Sequence, residues 1–196
     1  MTKEEFKIFW ASRYPDTIPI SYLFKQDYPD RWFRIHSLPK SKRYAECEDE
    51  WAILLTRHNQ IITDLLGSNA KILLVTGEYN WGERATFITD EEEVFKPYHF
   101  LRLDNIDLFE FNPDDYDNYE IYRSAFAETI WNPNQHNNLL KEIAANKTGA
   151  FLISMDKNIL IAPYDGGIDF VLKDGQTRDI YKQKYKEWLS EREDGL

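Results

Sequence analysis

Residues 151–172 read FLISMDKNILIAPYDGGIDFVL. Three short apolar runs, Phe151–Met155, Ile159–Ala162 and Ile168–Leu172, are separated by Asp156-Lys157-Asn158 and by Asp165-Gly166-Gly167. Short runs rich in Ile, Val and Phe, bounded by Asp, Asn and Gly, predict strands. Connections this short can join only antiparallel neighbours, because a parallel crossover takes a dozen or more residues. The stretch is therefore a β-meander, and it sets an antiparallel sheet as the frame for the rest of the chain.

Helices flank the meander. Upstream, Asn132 as N-cap and Pro133 at the first helical position predict a helix to about Asn146 that buries Leu139, Leu140, Ile143 and Ala144. Downstream, Thr177 to Ser190 presents Ile180, Tyr181, Tyr185, Trp188 and Leu189 at helical spacing. From Glu46 to Leu66, Trp51, Leu54, Leu55, Ile61, Ile62, Leu65 and Leu66 form an apolar stripe that ends at Gly67. A first helix over residues 3–13 opens with Thr2 and Glu5, the spacing of a capping box. A long aperiodic stretch follows, from Asp16 to Asp30. Further strands are expected at Trp32–His36, Ile72–Val75, His99–Leu103 and Ile106–Phe111. Another, Arg84–Ile88, follows a hairpin turn at Asn80-Trp81-Gly82, and Ile121–Ile130 reads as extended or mixed. The sum is an α+β fold, a mainly antiparallel sheet with about four helices packed against it, in a single domain over residues 1–196.

Composition narrows the function. The 196 residues carry 24 Lys and Arg against 34 Asp and Glu, a net charge of −10. Nucleic acid and anionic membranes demand a positive field, so neither is the expected partner. Longer apolar runs than five residues are missing, which argues against a membrane span. The charged start, Met1-Thr2-Lys3-Glu4-Glu5, has no signal-like apolar region, and the expected location is cytoplasmic. With one cysteine, Cys47, no intrachain disulfide can form. No Gly-rich loop joins a strand to a helix in the manner of a nucleotide site, and no cofactor is expected.

Candidate chemistry is sparse. His36, His58, His99 and His136 show no i+2, i+3 or i+4 pairing, so no metal site is expected. His58 lies on the apolar stripe of the second helix, where a buried imidazole with a backbone or carboxylate partner is the ordinary outcome. Cys47 sits among Glu46, Glu48, Asp49 and Glu50, which raise a thiol pKa and make it a poor nucleophile. Asp165 and Asp169 flank Gly166-Gly167; turn chemistry, with Gly supplying positive φ and Asp bonding the turn backbone, explains them without a site. Lys40, Lys42 and Arg43 form a small basic cluster. The segment 112–122 differs from the other acidic runs: Asp114, Asp115, Tyr116, Asp117 and Tyr119 mix carboxylates with rings and show little core pattern. Carboxylates attract a basic partner, and tyrosine gives rigid contact area at low entropy cost.

Pro163-Tyr164-Asp165-Gly166-Gly167-Ile168-Asp169-Phe170, followed by Tyr181, Tyr185, Trp188 and Leu189, resembles a bacterial family of unknown function. Its members end in a Tyr-Asp turn, a further strand and a Tyr- and Trp-bearing helix. Trp32 to Pro39 and Thr56-Arg57-His58-Asn59 are similar to segments of longer members. The match covers about residues 150–196. Many relatives have Asp-Asp-Arg-Gly where this chain has Asp-Gly-Gly, so an arginine of that turn is missing here. The resemblance implies a bacterial cytoplasmic protein and supplies no activity.

Two functions are therefore expected in competition. The first is a non-enzymatic protein-binding protein, in its sharpest form an immunity protein or small regulatory inhibitor, acting on a basic protein partner through residues 114–119. The second is a small cytoplasmic hydrolase or transferase using carboxylate and His groups, with His58, Asp165 and Asp169 at its centre and Arg57, Glu78 and Glu128 as candidates to converge on them. A pocket gathering these residues favours the enzyme, and a convex acidic and aromatic face favours the binder.

Overall fold

The computed structural model describes residues 1–80 and 86–190. In chain order the elements are α1 (Lys3–Arg13), α2 (Phe24–Asp27), β1 (Trp32–His36), α3 (Glu48–Leu66), β2 (Ala70–Asn80), α4 (Ile88–Glu91), β3 (Leu101–Arg102), β4 (Ile106–Asp107), α5 (Leu108–Phe111), β5 (Ile121–Trp131), α6 (Asn137–Ala144), β6 (Ala150–Ser154), β7 (Ile159–Pro163), β8 (Gly167–Val171) and α7 (Gly175–Lys184). Among the described residues, eight strands form one sheet in the order β1-β8-β7-β6-β2-β5-β3, with β4 also on β5, and every pairing between them is antiparallel. The fold is α+β, and four of the helices among the described residues run eight residues or more.

Alternation along the strands explains the layers. On β2, Ile72 and Leu74 face one side while Leu73 and Val75 face the other; on β7, Ile159 and Ile161 oppose Leu160 and Ala162 in the same way. The first side packs against Ile61, Ile62 and Leu65 of α3 and Leu139, Leu140 and Ile143 of α6. The second packs against Phe6 and Trp10 of α1 and Phe24 of α2. Helices on both faces are why β6, β7 and β8 are buried at every position and read as unbroken apolar runs.

The local signals hold. Thr2 and Glu5 close the capping box, and Gly67 ends α3 at φ 80°. Other expectations move. The stretch Asp16–Asp30 holds two short helical turns, Ser21–Leu23 and α2. The strand expected at Ile72–Val75 extends to eleven residues and pairs along its length with β5, which is regular strand. Of the expected Arg84–Ile88 strand, residues 84 and 85 lie outside the described residues, as do 81 and 82 of the turn before it; Ile88 opens α4. His99–Leu103 shrinks to β3, and Ile106–Phe111 divides into β4 and α5. The helix expected from Asn132 begins at Asn137, because Asn134 turns at φ 69° and its N–H donates to Asn59 Oδ1 at 2.6 Å. The last helix stops at Lys184 and continues as a tight turn over Lys186–Trp188.

Candidate functional site

The end of β1 meets the turn between β7 and β8, and several sequence candidates gather there. Ser37 N–H donates to Gly166 O at 3.1 Å, and Tyr164 N–H donates to Gly167 O at 2.9 Å. Neither Gly166 nor Gly167 has positive φ. The reason for glycine is space: a Cβ on Gly167 would lie 2.0 Å from Ile35 O, and one on Gly166 would lie 2.8 Å from the Tyr164 ring. Asp165 does not bond the turn backbone either. It is buried and accepts from Arg43 Nε at 2.8 Å and from Tyr44 Oη at 2.7 Å. The turn reading is thus right in place and wrong in mechanism.

Asp169 lies opposite Arg34 in the β1–β8 register. The pair is bidentate, Nε to Oδ1 at 2.5 Å and Nη2 to Oδ2 at 2.8 Å. The guanidinium also stands 4.5 Å from the centre of the Tyr164 ring and 5.5 Å from that of Trp32. Burial pushes the Tyr164 hydroxyl up to about 12. Both carboxylates of the expected enzyme centre therefore hold an arginine.

His58 is fully buried on α3, and its partner is a hydroxyl rather than a carboxylate or the backbone: Nε2 and Ser37 Oγ share a hydrogen bond at 2.7 Å. Burial, and then the charge of Arg57, pull its pKa down to about 3. Ser37 is fully buried too, so the pair presents no nucleophile to solvent. Glu78 and Glu128 are not part of this corner. Glu78 pairs with Arg123 across β2 and β5, and Glu128 accepts from the Met1 amino group at 2.7 Å.

Beside this corner lies a cavity of about 590 Å³. His36, Lys40, Ser41, Arg57, Glu187 and Trp188 line it together with apolar neighbours. Sequence alternation places His36 here while Ser37 turns to His58. His36 is only 9% exposed, and its Nε2 has no hydrogen-bond partner. Such an atom costs about 1–3 kcal/mol unless an acceptor or donor reaches it. Burial lowers the His36 pKa, and the charges of Arg34 and Arg57 lower it further. Arg57 Nη1 donates to His36 O at 3.0 Å, and its guanidinium lies 5.1 Å from the centre of the Trp188 ring. No carboxylate among the described residues pairs with Arg57 or Lys40, whereas Lys42 holds Glu46 and Glu50 and Arg43 holds Asp165. Lys40 and Ser41 stand at φ 56° and 54°. Two successive left-handed side-chain residues cost about 1–2 kcal/mol each, and such strain clusters where a site needs it. The C-terminal segment is fixed to α3 by Asp64, which accepts from Lys184 Nζ at 2.7 Å and from Tyr185 Oη. That docking brings Trp188 over Arg57.

The acidic loop lies at the other edge of the sheet, where β4 joins β5. Asp114, Asp115, Asp117 and Tyr119 are exposed, and Tyr119 reaches 91% at φ 79°. Tyr116 is half-buried and bonds Tyr22 Oη, which anchors the loop to the small cluster of Ile20, Leu23, Leu108 and Tyr122. Asn112 Nδ2 donates to Asp115 Oδ2 at 2.7 Å, and Asp117 N–H donates to Glu120 Oε2 at 3.2 Å. The loop is ordered by its own hydrogen bonds, and no Lys or Arg among the described residues pairs with Asp114, Asp115 or Asp117.

No helix among the described residues is long and apolar enough to cross a membrane, and no three His, Cys, Asp or Glu side chains among them converge as a metal site would require. Sequence reasoning named His36 and Lys40 without joining them, and of the carboxylates it grouped with Arg57, Glu78 and Glu128 lie elsewhere. No match to the chain is found among curated proteins or solved structures. The family model described as Domain of unknown function (DUF3885) matches residues 20–193, and the chain belongs to that family.

Proposed function

We propose that the protein is a non-enzymatic binding protein that captures a basic protein partner through the loop 112–120, an immunity protein or small regulatory inhibitor being its sharpest form. One observation carries the reading: Asp114, Asp115 and Asp117 are exposed with no Lys or Arg among the described residues paired to them, in a loop that also exposes Tyr119. Elsewhere on the surface, Asp90 holds Arg102 and Asp104 holds Lys3 and Lys7. Uncompensated carboxylates steer an oppositely charged protein and raise its association rate. The Tyr119 ring then supplies contact area on a loop already held by Tyr116, so little ordering cost remains. The single cysteine and the resemblance to a bacterial family support a bacterial cytoplasmic setting.

The hydrolase or transferase reading has less support. Asp165 and Asp169 each hold an arginine, and His58 is sealed from solvent. The test is a low-salt pull-down from the native host with the wild type and with Asp114→Asn/Asp115→Asn/Asp117→Asn. A basic protein retained by the first and lost by the second, at an unchanged melting temperature, is the expected result. Retention of small metabolites only, or equal retention by both proteins, refutes the reading.

A further inference from the structure

The cavity at the end of β1 has a chemistry opposite to that of the chain. The protein carries −10 overall, yet here Arg57 and Lys40 line one space with no carboxylate partner among the described residues. His36 adds a buried nitrogen that makes no hydrogen bond, and Ser41 adds a hydroxyl. Two cations beside an imidazole nitrogen that can take up a proton match a dianion; a monocarboxylate leaves one cation uncompensated. The volume of about 590 Å³ falls in the range of small-molecule sites and exceeds what a phosphate group fills. Leu38, Leu189 and the Trp188 ring give the remainder apolar walls. We propose that this cavity binds a small phosphate monoester, with Arg57 and Lys40 neutralising the phosphate, His36 taking up a proton at Nε2 as the dianion binds and donating it to one of the phosphate oxygens, and the organic group lying against Trp188. The site is separate from the acidic loop, with the width of the sheet between them.

Glu187 gives the proposal a sign that can be checked. It is exposed and is the carboxylate among the lining residues, so it opposes a bound anion. Isothermal titration calorimetry with phenyl phosphate as the probe and benzoate as the carboxylate control reads the site directly. Phenyl phosphate binds the wild type at one site, and benzoate binds at least tenfold more weakly. Arg57→Gln weakens phenyl phosphate tenfold or more. Lys40→Ala, at an exposed position whose truncation leaves the fold intact, weakens it severalfold, and Glu187→Gln tightens it. The proposal is overturned by absence of saturable binding at millimolar phenyl phosphate. It is also overturned by equal affinity for benzoate, or by Lys40→Ala and Glu187→Gln both binding as the wild type does.

Discussion

Sealing His58 inside the fold makes stability depend on pH in a way that one substitution isolates. The imidazole is fully buried, and its pKa falls from 6.5 to about 3. The unfolded chain therefore takes up a proton near pH 6.5 that the folded chain refuses until about pH 3. Stability from this group is fully present above pH 6.5 and is lost progressively as the pH falls toward 3. Each pH unit inside that window is worth about 1.4 kcal/mol, so lowering the pH from 7 to 5 removes about 2 kcal/mol through His58 alone. His58→Gln keeps an amide within reach of Ser37 Oγ and cannot titrate. At pH 7 the variant is less stable than the wild type by about 1–2 kcal/mol, the cost of an imperfect fit and a changed hydrogen bond. As the pH falls the gap closes and then reverses. His36 and His136 also have pKa values lowered by burial, but they act equally in both proteins and cancel in the difference. Urea unfolding followed by tryptophan fluorescence at pH 7, 6 and 5 gives the three differences. A gap that stays constant across these pH values shows that His58 titrates as an ordinary histidine, and the sealed Ser37–His58 pair is then refuted.

The turn beside it yields two more expectations. Asp169→Asn removes the charge that the partly buried Arg34 guanidinium holds in a bidentate pair and costs about 3 kcal/mol in urea unfolding, while Arg34→Met with Asp169→Leu recovers most of that loss; a double variant as unstable as the single one contradicts this. Gly167→Ala drives a methyl group into Ile35 O and costs about 2–3 kcal/mol; a urea midpoint equal to the wild type's shows that β1 and β8 do not approach so closely.

What the chain discloses of itself follows the distance over which each feature is decided. Thr2 and Glu5, Gly67 and the runs of β6, β7 and β8 are fixed by neighbours within a few residues, and these are legible. The length of β2 depends on β5, whose paired residues lie between 41 and 61 positions away, and no local period announces it. Likewise, the turn before α6 is held by Asn59, 75 residues upstream, against the local promise of Asn132 and Pro133. The basic cluster of Lys40, Lys42 and Arg43 is visible as three cations. Only tertiary contacts show that Lys42 meets Glu50 and Arg43 meets Asp165, which leaves Lys40 to the cavity. The acidic loop is readable because its character lies in composition. Its anchoring by Tyr116 on Tyr22, 94 residues away, is not.

The placement of β1 has a consequence for how the polypeptide is made. Its only ladder partner among the described residues is β8, and Arg34 must wait for Asp169, 135 residues later. At ribosomal speeds of roughly 5–20 residues per second, that wait lasts about 7–27 s. Throughout it Trp32, Phe33 and Ile35 lack the β8 strand they pair with, although in its last part β2 and β5 can already pair. The nascent chain therefore carries a sticky, unmatched segment for most of its synthesis, and the strand translated first is the one that locks last.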